Sequence, residues 1–332
     1  MEKKEEEIKL KSPIRCIVKL GGAAITCKND FEKINEDDLI TVSSQLREAM
    51  IMSKSFSPGP VLEMDWSKRP GISETLSRVD DFAGQQVLHY HNFVVIHGAG
   101  SFGHFQASKS GVHKGGLNQP LVKAGFVATR ISVTSLNLEI VRALAREGIP
   151  SVAMSPFSCG WSTRQRNIVS ADVSNVVEAL DSGFVPVLHG DAVLDESLGC
   201  TILSGDVIIS HLAAHLRPQF VVFLTDVSGV YDRPPSEPNA ILLREIAVRE
   251  DGSWSVVKPT FEGTKQVEIS VASHDTTGGM VTKISEAALI AKLGIDVYIV
   301  KAATKHSLTA LSGKLREEIP EDWLGTIIRY VS

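Results

Sequence analysis

Five short apolar runs rich in β-branched residues recur along the chain, and each has the length of a strand buried on both faces. They are Cys16–Leu20, Phe93–Ile96, Val185–Leu188, Phe220–Leu224 and Val297–Val300. Longer segments with helical periodicity lie between them, at Asp37–Met50, Lys123–Arg146, Ser170–Ser182, Val207–Leu216 and Thr282–Leu293. Strands that alternate with helices predict an α/β fold, in which a mostly parallel sheet carries helices on both faces.

Two segments interrupt this alternation. Residues 53–73 contain three prolines and no clean period, and we interpret them as a long surface insertion. Residues 232–239 also contain three prolines and predict a rigid excursion after a strand. The charged residues 1–12 are expected to fray.

Composition narrows the class of protein. The 332 residues include 34 Lys and Arg against 39 Asp and Glu, a net charge of −5 that argues against a nucleic-acid binder working by bulk charge. None of the four cysteines forms a C-x-x-C pair, which argues against a zinc knuckle or a thioredoxin-like site. So few cysteines in so long a chain fit a reducing compartment. We find no signal peptide and no apolar run of about 18 residues, so a cytoplasmic protein without a membrane partner is expected.

Three glycine-rich segments lie where the predicted strands should end. They cover residues 19–23 (KLGGA), 97–104 (HGAGSFGH) and 275–283 (DTTGGMVTK). Glycine at the carboxyl end of a strand lets backbone N–H groups approach phosphate oxygens, and a following helix N-terminus favours an anion. One glycine pair alone is more often a tight turn, but three such turns, two of them with a lysine, favour a polyphosphate site.

The second glycine segment matches the G-x-G-x-x-G pattern of dinucleotide-binding proteins at residues 98–103. That function also needs an acidic residue about 20 positions later, and no Asp or Glu occurs between Asp81 and Glu139. We therefore reject a nicotinamide-dinucleotide site. The same acid-free stretch offers a cationic face for an anionic substrate, although a solvated basic surface explains its lysines equally well; its basic residues include Lys109, Lys114, Lys123 and Arg130.

Together, these segments resemble the amino-acid kinase superfamily from about Ile14 to Ile328. The resemblance rests on KLGGAAIT at 19–26 with Lys28, HGAGSFGH at 97–104, VLHGD at 187–191, LSGD at 203–206, LTDVSGVYD at 224–232 and TTGGMVTK at 276–283. His104 and Lys28 narrow it to the branch that phosphorylates isopentenyl phosphate. Ala99 and Cys27 stand where relatives often have Gly and Asp.

The resemblance implies a three-layer αβα sandwich with a mostly parallel open sheet, formed by one domain over residues 13–332. Its acceptor part covers about 13–200 and its ATP-binding part about 201–332. The implied reaction uses ATP and Mg²⁺ to convert isopentenyl phosphate into isopentenyl diphosphate, a step of isoprenoid precursor synthesis. A homodimer without nucleic-acid or membrane partners is also implied.

Site roles follow from the same resemblance. Lys19 and Lys28 would flank the transferring phosphoryl group, Lys283 would reach the ATP phosphates, and Asp206 would orient the lysines by ion pairing. His104 would donate a hydrogen bond to the acceptor's phosphate, beside the backbone of Ala99 and Gly190. The nucleotide-binding set is implied to be Lys19, Gly21, Gly22, Ala23, Gly100, Asp226, Gly279 and Lys283. Mg²⁺ is expected to be held by ATP phosphates, with no assigned protein ligand.

Several of these residues also have an ordinary structural explanation. Lys28 fits a solvated loop, Asp206 a helix N-cap and Asp226 a turn. An apolar pocket should hold the isoprenoid tail; its candidates are explained better by core packing, and they are Phe105, Val127, Ile131 and Met154.

Two other functions stay open. One is a related kinase whose acceptor is an amino acid or a nucleoside monophosphate. The acid-free stretch offers no partner for an amino acid's ammonium group, and no aromatic platform for a base is evident. The other is a non-catalytic nucleotide sensor on the same fold. Loss of an active-site lysine would favour that function, but Lys19, Lys28 and Lys283 are all present.

Overall fold

A computed structural model describes residues 10–52, 93–260 and 279–331. The predicted insertion at 53–73, most of the N-terminal segment and residues 275–278 lie outside this part of the chain. The helices are α1 (Gly22–Ile25), α2 (Glu36–Met52), α3 (Gly100–Ser110), α4 (Pro120–Arg146), α5 (Ser174–Asp181), α6 (Gly205–Leu216), α7 (Gly279–Ala291) and α8 (Lys305–Leu311).

Fifteen strands lie between and around these helices in the described part of the chain, some of them in consecutive runs without a helix. They are β1 (Cys16–Leu20), β2 (Phe93–His97), β3 (Ser151–Met154), β4 (Ser162–Arg164), β5 (Asn167–Ser170), β6 (Val185–His189), β7 (Asp191–Asp195), β8 (Gly199–Leu203), β9 (Phe220–Thr225), β10 (Val230–Tyr231), β11 (Leu242–Leu243), β12 (Glu245–Val248), β13 (Trp254–Lys258), β14 (Asp296–Lys301) and β15 (Thr326–Tyr330).

Nine strands form the main sheet, in the order β13-β12-β15-β14-β9-β1-β2-β6-β3. The pairs from β14 through to β3 are all parallel, whereas β14 with β15 and β12 with β13 are antiparallel. The five strands predicted from the sequence are β1, β2, β6, β9 and β14, and they lie side by side in the middle of the sheet. The predicted α/β sandwich with a mostly parallel sheet is therefore confirmed.

Alternation along β1 divides its side chains between two apolar cores. Cys16, Val18 and Leu20 pack in one core with residues of α2, α4 and α8, whereas Ile17 packs in the other with residues of α5, α6 and α7. Side chains with period two point to opposite faces of a strand, so each face of the sheet has its own helical layer. Lys19 is consequently directed toward α6.

The second glycine segment is more helical than the sequence indicated. We interpreted residues 97–104 as a turn, but α3 begins at Gly100, and His104 lies in its second turn. Similarly, α5 begins at Ser174 rather than at Ser170, because residues 167–170 form β5. Lys283 lies in the second turn of α7, not the first, because that helix begins at Gly279.

A second, four-stranded sheet in the order β5-β4-β7-β8 was not expected from the sequence. The carboxylate of Asp195 holds it together by accepting from the N–H of Arg166 (2.9 Å), the N–H of Leu198 (2.8 Å) and the hydroxyl of Thr163 (2.8 Å). Burial acts to raise the pKa of Asp195, but these hydrogen bonds hold it well below its usual range. Among the described helices, none has the length and hydrophobicity of a membrane span.

Candidate active site

The central strands β1, β2 and β6 end at one edge of the sheet, and a glycine follows each of them. The N–H of Gly21 donates to the carbonyl of Leu224 (2.7 Å), that of Gly98 to Leu20 (2.9 Å) and that of Gly190 to His97 (3.0 Å). These N–H groups therefore extend the parallel ladder. The geometry gives no support to the prediction that the Gly190 amide binds the acceptor, and the Gly21 amide is likewise engaged.

The residues after these glycines bring two helix N-termini together. A Cβ on Gly22, in α1, would lie 2.3 Å from the nitrogen of Gly100 at the start of α3. Gly100 also has a φ of +51°, which favours glycine. The first N–H groups of a helix have no partner within the helix, and they can bind an anion. The contact brings Gly22 and Gly100 together, with Ala23 and Ala99 next to them in the chain, and their predicted binding roles stay predictions.

Lys19 is the buried cation of this edge. Its side chain, only 6% exposed, forms an ion pair with Asp206 in the first turn of α6. Burial lowers the pKa of Lys19, the Asp206 carboxylate opposes this, and the positive charge of Lys283 lowers it further. The predicted pairing of Asp206 with an active-site lysine is thus present. Ser204, not Asp206, is the N-cap, since its hydroxyl accepts from the Asp206 N–H (3.1 Å).

The two other predicted lysines approach from different elements. Lys28, in the loop after α1, lies 2.6 Å from the carboxylate of Asp226, which follows β9. Lys28 therefore forms an ion pair, although its side chain stays largely exposed to solvent. Lys283 is half-buried on α7, one turn before Glu286.

Glu286 is a carboxylate that the sequence analysis missed. Burial raises its pKa, a hydrogen bond with Ser210 lowers it, and the charges of Asp206 and Lys19 also act on it. The position of Glu286 three residues after Lys283 is the signal that could have found it, because residues three apart are neighbours on a helix surface.

The predicted roles of His104 and Gly279 both stay predictions. His104 is exposed on α3, on the helix whose N-terminus contains Gly100. That position is compatible with an anion bound at the start of α3. Gly279 is the first residue of α7, and the residues before it lie outside the described part of the chain.

Two buried histidines lie behind the glycine turns, and the sequence analysis did not single them out as site residues. His97 ends β2 and His189 ends β6; they occupy paired positions of the sheet, with ring centroids 5.5 Å apart. Burial lowers the pKa of His97 to about 3, and burial also lowers the pKa of His189. Both rings are therefore neutral at physiological pH. A polar residue directly after an apolar run of a buried strand is the signal that marks them.

Arg130 does not lie free on a basic surface. Its Nε is 3.4 Å from Asp191, one Nη donates to the hydroxyl of Ser155 (2.9 Å), and its guanidinium stacks on Phe157 at 4.1 Å. The Ser155 hydroxyl in turn donates to Asp191 (2.7 Å). Arg130 therefore belongs to a hydrogen-bonded network around the buried Asp191, next to Gly190. The explanation as a solvated basic surface then applies only to the lysines of the acid-free stretch.

The suggested tail residues divide into two groups. Phe105 is half-buried and meets Phe31 edge to face at 5.9 Å, and Met154 is also half-buried. Val127 and Ile131 are 53% and 63% exposed, so core packing is the wrong explanation for both. Within residues 10–52, 93–260 and 279–331, no group of three His, Cys, Asp or Glu side chains could hold a metal ion.

Comparisons with known proteins identify the family of the chain. The model of the amino acid kinase family matches residues 15–301. Isopentenyl phosphate kinase of Arabidopsis thaliana is 71% identical over 320 residues, which is 96% of each chain. The enzyme of that name from Methanothermobacter thermautotrophicus is 33% identical and covers 88% of this chain and 92% of its own.

A solved structure described as isopentenyl phosphate kinase is similar in fold as well. It superposes with a TM-score of 0.64 at 29% identity, covering 90% of this chain and 96% of the other. The match of the family model extends over most of the chain, including β1, α3, α6 and α7, which supply the residues described above. The chain belongs to the amino acid kinase family.

Proposed function

We propose that the protein transfers the γ-phosphoryl group of ATP to isopentenyl phosphate, producing isopentenyl diphosphate and ADP. One observation carries the proposal: the Lys19–Asp206 pair lies at the edge of the sheet where α3, the helix with His104, begins. The printed name of the 71% identical relative supports the choice of acceptor. Glutamate, acetylglutamate and UMP are then poor acceptors.

The chemistry needs charge cancellation more than a base. A phosphate monoester has a second pKa of about 6, so the acceptor is already largely a dianion at neutral pH. Its oxygen attacks the γ-phosphorus while the bond to the β-phosphate oxygen breaks and ADP leaves. Both groups are anionic, and phosphoryl transfer relies on positioning and charge stabilisation. Lys19 and Lys28 would neutralise the transferring group, and Lys283 the nucleotide phosphates.

Asp206 and Asp226 keep two of these lysines in place. The pair of Asp206 with Lys19 is buried, so it keeps the ammonium charged where burial alone would favour the neutral amine. Asp226 holds Lys28 at a partly exposed position. His104 would donate to the acceptor's phosphate, and the amides of Gly22, Ala23, Ala99 and Gly100 would complete the anion site.

Mg²⁺ would be bound mainly through the ATP phosphates. The described side chains offer no group of three acidic or histidine ligands, and Mg²⁺ commonly uses one or two carboxylates together with substrate phosphates. When bound, the ion supplies charge neutralisation on the nucleotide.

The proposal also includes that the protein is a homodimer and that it is cytoplasmic. The outer face of α4 carries an apolar stripe whose exposed members are Leu121, Val127, Ile131 and Leu138. A stripe of this kind on a long helix suits a two-fold interface, in which the same patch meets its copy.

A panel of acceptors tests the function. Purified protein with ATP and Mg²⁺ should form a diphosphate from isopentenyl phosphate, and from dimethylallyl phosphate, detected by ³¹P NMR and by ADP release. We expect kcat/KM for isopentenyl phosphate to exceed that for UMP, glutamate and acetylglutamate by at least a hundredfold. Faster turnover of one of those three would overturn the choice of acceptor. ATP binding without turnover of any acceptor would favour the nucleotide sensor.

A further inference from the structure

The buried histidines at the ends of β2 and β6 make the same contact with the backbone that follows them. Nδ1 of His97 is 3.0 Å from the carbonyl oxygen of Gly98, and Nδ1 of His189 is 3.0 Å from that of Gly190. A carbonyl oxygen can only accept, so each Nδ1 carries the proton and donates it. Each ring therefore fixes the carbonyl of the glycine that follows its strand.

Asn137 of α4 fixes the tautomer of His97. Its amide nitrogen is 3.0 Å from Nε2 of His97 and 3.0 Å from the carbonyl oxygen of Val187. The two amide protons serve these two acceptors, so Nε2 of His97 accepts and carries no proton. His97 is fully buried and Asn137 is 1% exposed, so water does not compete for these hydrogen bonds.

The orientation of one peptide group follows from this arrangement. The carbonyl of Gly98 and the N–H of Ala99 belong to one planar trans peptide, so they point in opposite directions. The ring of His97 holds the carbonyl on the buried side, toward α4. The N–H of Ala99 is then directed away from the core, at the N-terminus of α3.

We propose that His97, held by Asn137, is a positioning residue that keeps the Ala99 N–H directed at the phosphate of the acceptor. The inference rests on the proposed function for the identity of that acceptor. A neutral His97 ring suits this positioning role. The low pKa of His97, caused by burial and then by His189, keeps the ring neutral, so Nε2 can go on accepting from Asn137.

Substitutions at His97 separate positioning from packing. In His97→Asn the side-chain amide can replace the Nδ1–H donor, whereas His97→Leu has no donor. We expect His97→Leu to raise KM for isopentenyl phosphate at least tenfold and KM for ATP less than threefold. His97→Asn should recover most of that loss. Val95→Ala, a buried change on the same face of β2, is the control for lost stability and should leave both KM values near wild type.

Asn137→Asp tests the tautomer with little change of shape. A carboxylate facing Nε2 accepts where the amide donated, so it draws the ring proton from Nδ1 to Nε2 or leaves both nitrogens protonated. The ¹⁵N signals of the His97 ring should report which form is present. KM for the acceptor should rise as in His97→Leu where Nδ1 has lost its proton, and stay near wild type where both nitrogens are protonated. An unchanged ring spectrum, or equal changes of both KM values in His97→Leu, would overturn the inference.

A readout that needs no turnover keeps the two proposals separate. With ¹⁵N-alanine labelling, inorganic phosphate should shift the Ala99 amide signal in wild type and His97→Asn, but much less in His97→Leu. If wild type turns over no acceptor, the proposed function fails while this comparison still decides the role of His97. An Ala99 signal that responds equally in all three proteins would contradict that role.

Discussion

At the scale of single residues, the charged side chains of the site differ in their exposure to solvent. Lys19 and Asp206 are buried together, whereas the pair of Lys28 with Asp226 is partly exposed, with Lys28 65% and Asp226 35% accessible. An exposed ion pair contributes only about 0–1 kcal/mol to stability. Lys28 is therefore free to serve a ligand at little cost to the fold, and Lys19 is not.

Lys28→Ala should separate catalysis from stability. Removal of a preorganised transition-state contact typically costs about 3–4 kcal/mol, so we expect kcat to fall by about two orders of magnitude or more. The melting temperature should barely change. Lys33→Ala is the matched control, since Lys33 is an exposed lysine of the same loop that pairs with Asp30 at 2.9 Å. Steady-state kinetics and thermal melting measure both effects; a Lys28→Ala enzyme with near wild-type kcat would remove Lys28 from the catalytic set.

At the scale of elements, the site depends on how closely α1 approaches α3. Both helices begin just after a central strand, and glycine allows their first residues to touch. The N–H of Ser101 also donates to the hydroxyl of Thr26 at the other end of α1 (3.0 Å). These contacts fix the two N-termini relative to one another, which an anion site built from both of them requires.

Gly22→Ala should disturb this contact directly. The added Cβ would lie 2.3 Å from backbone nitrogen and 2.5 Å from the Cα of Gly100, so backbone must move. Overpacking of this kind costs about 1–3 kcal/mol, and we expect kcat/KM for ATP to fall at least tenfold as the amides separate. Gly294→Asn is a control without crowding, because its φ is +78° and no atom lies within 4 Å. Equal kinetics for the two variants would show that the contact does not shape the site.

At the scale of the whole molecule, the outer face of α4 carries exposed apolar side chains in the part of the chain that the structure describes. Ile131 is 63% exposed although α4 also contributes fully buried residues such as Leu136 and Ile140 to the core beneath it. An apolar stripe on the solvent side of a helix marks an interaction surface more often than a free one.

Ile131→Asp should therefore convert a dimer into a monomer. A charge placed in an apolar two-fold interface meets its own copy and loses solvation, which disfavours association. Light scattering after gel filtration should give twice the 35.9 kDa chain mass for wild type and a single chain mass for the variant. Leu194→Asp, at a 48% exposed position of β7, should stay dimeric. A wild-type monomer, or a variant that still dimerises, would contradict this interface.

The sequence by itself determined the middle of the sheet. The five central strands are continuous apolar runs because parallel strands covered by helices on both faces tolerate little else. The outer strands, such as β3 and β13, are partly exposed along their length, and the sequence analysis found neither. The glycine and lysine motifs likewise predicted the candidate site residues, since backbone amides and ammonium groups are what phosphate requires.

Only the tertiary structure decided how those groups are used. The Gly190 amide was expected to bind a ligand, yet it completes the sheet ladder on the carbonyl of His97. Asp206 pairs with Lys19 across 187 positions of the chain, and Asn137 meets His97 from a helix that starts 23 residues after β2 ends. A local pattern specifies which face a residue occupies. Which partner it meets there depends on how the helices and strands pack across one another. The fold of the whole chain decides that packing.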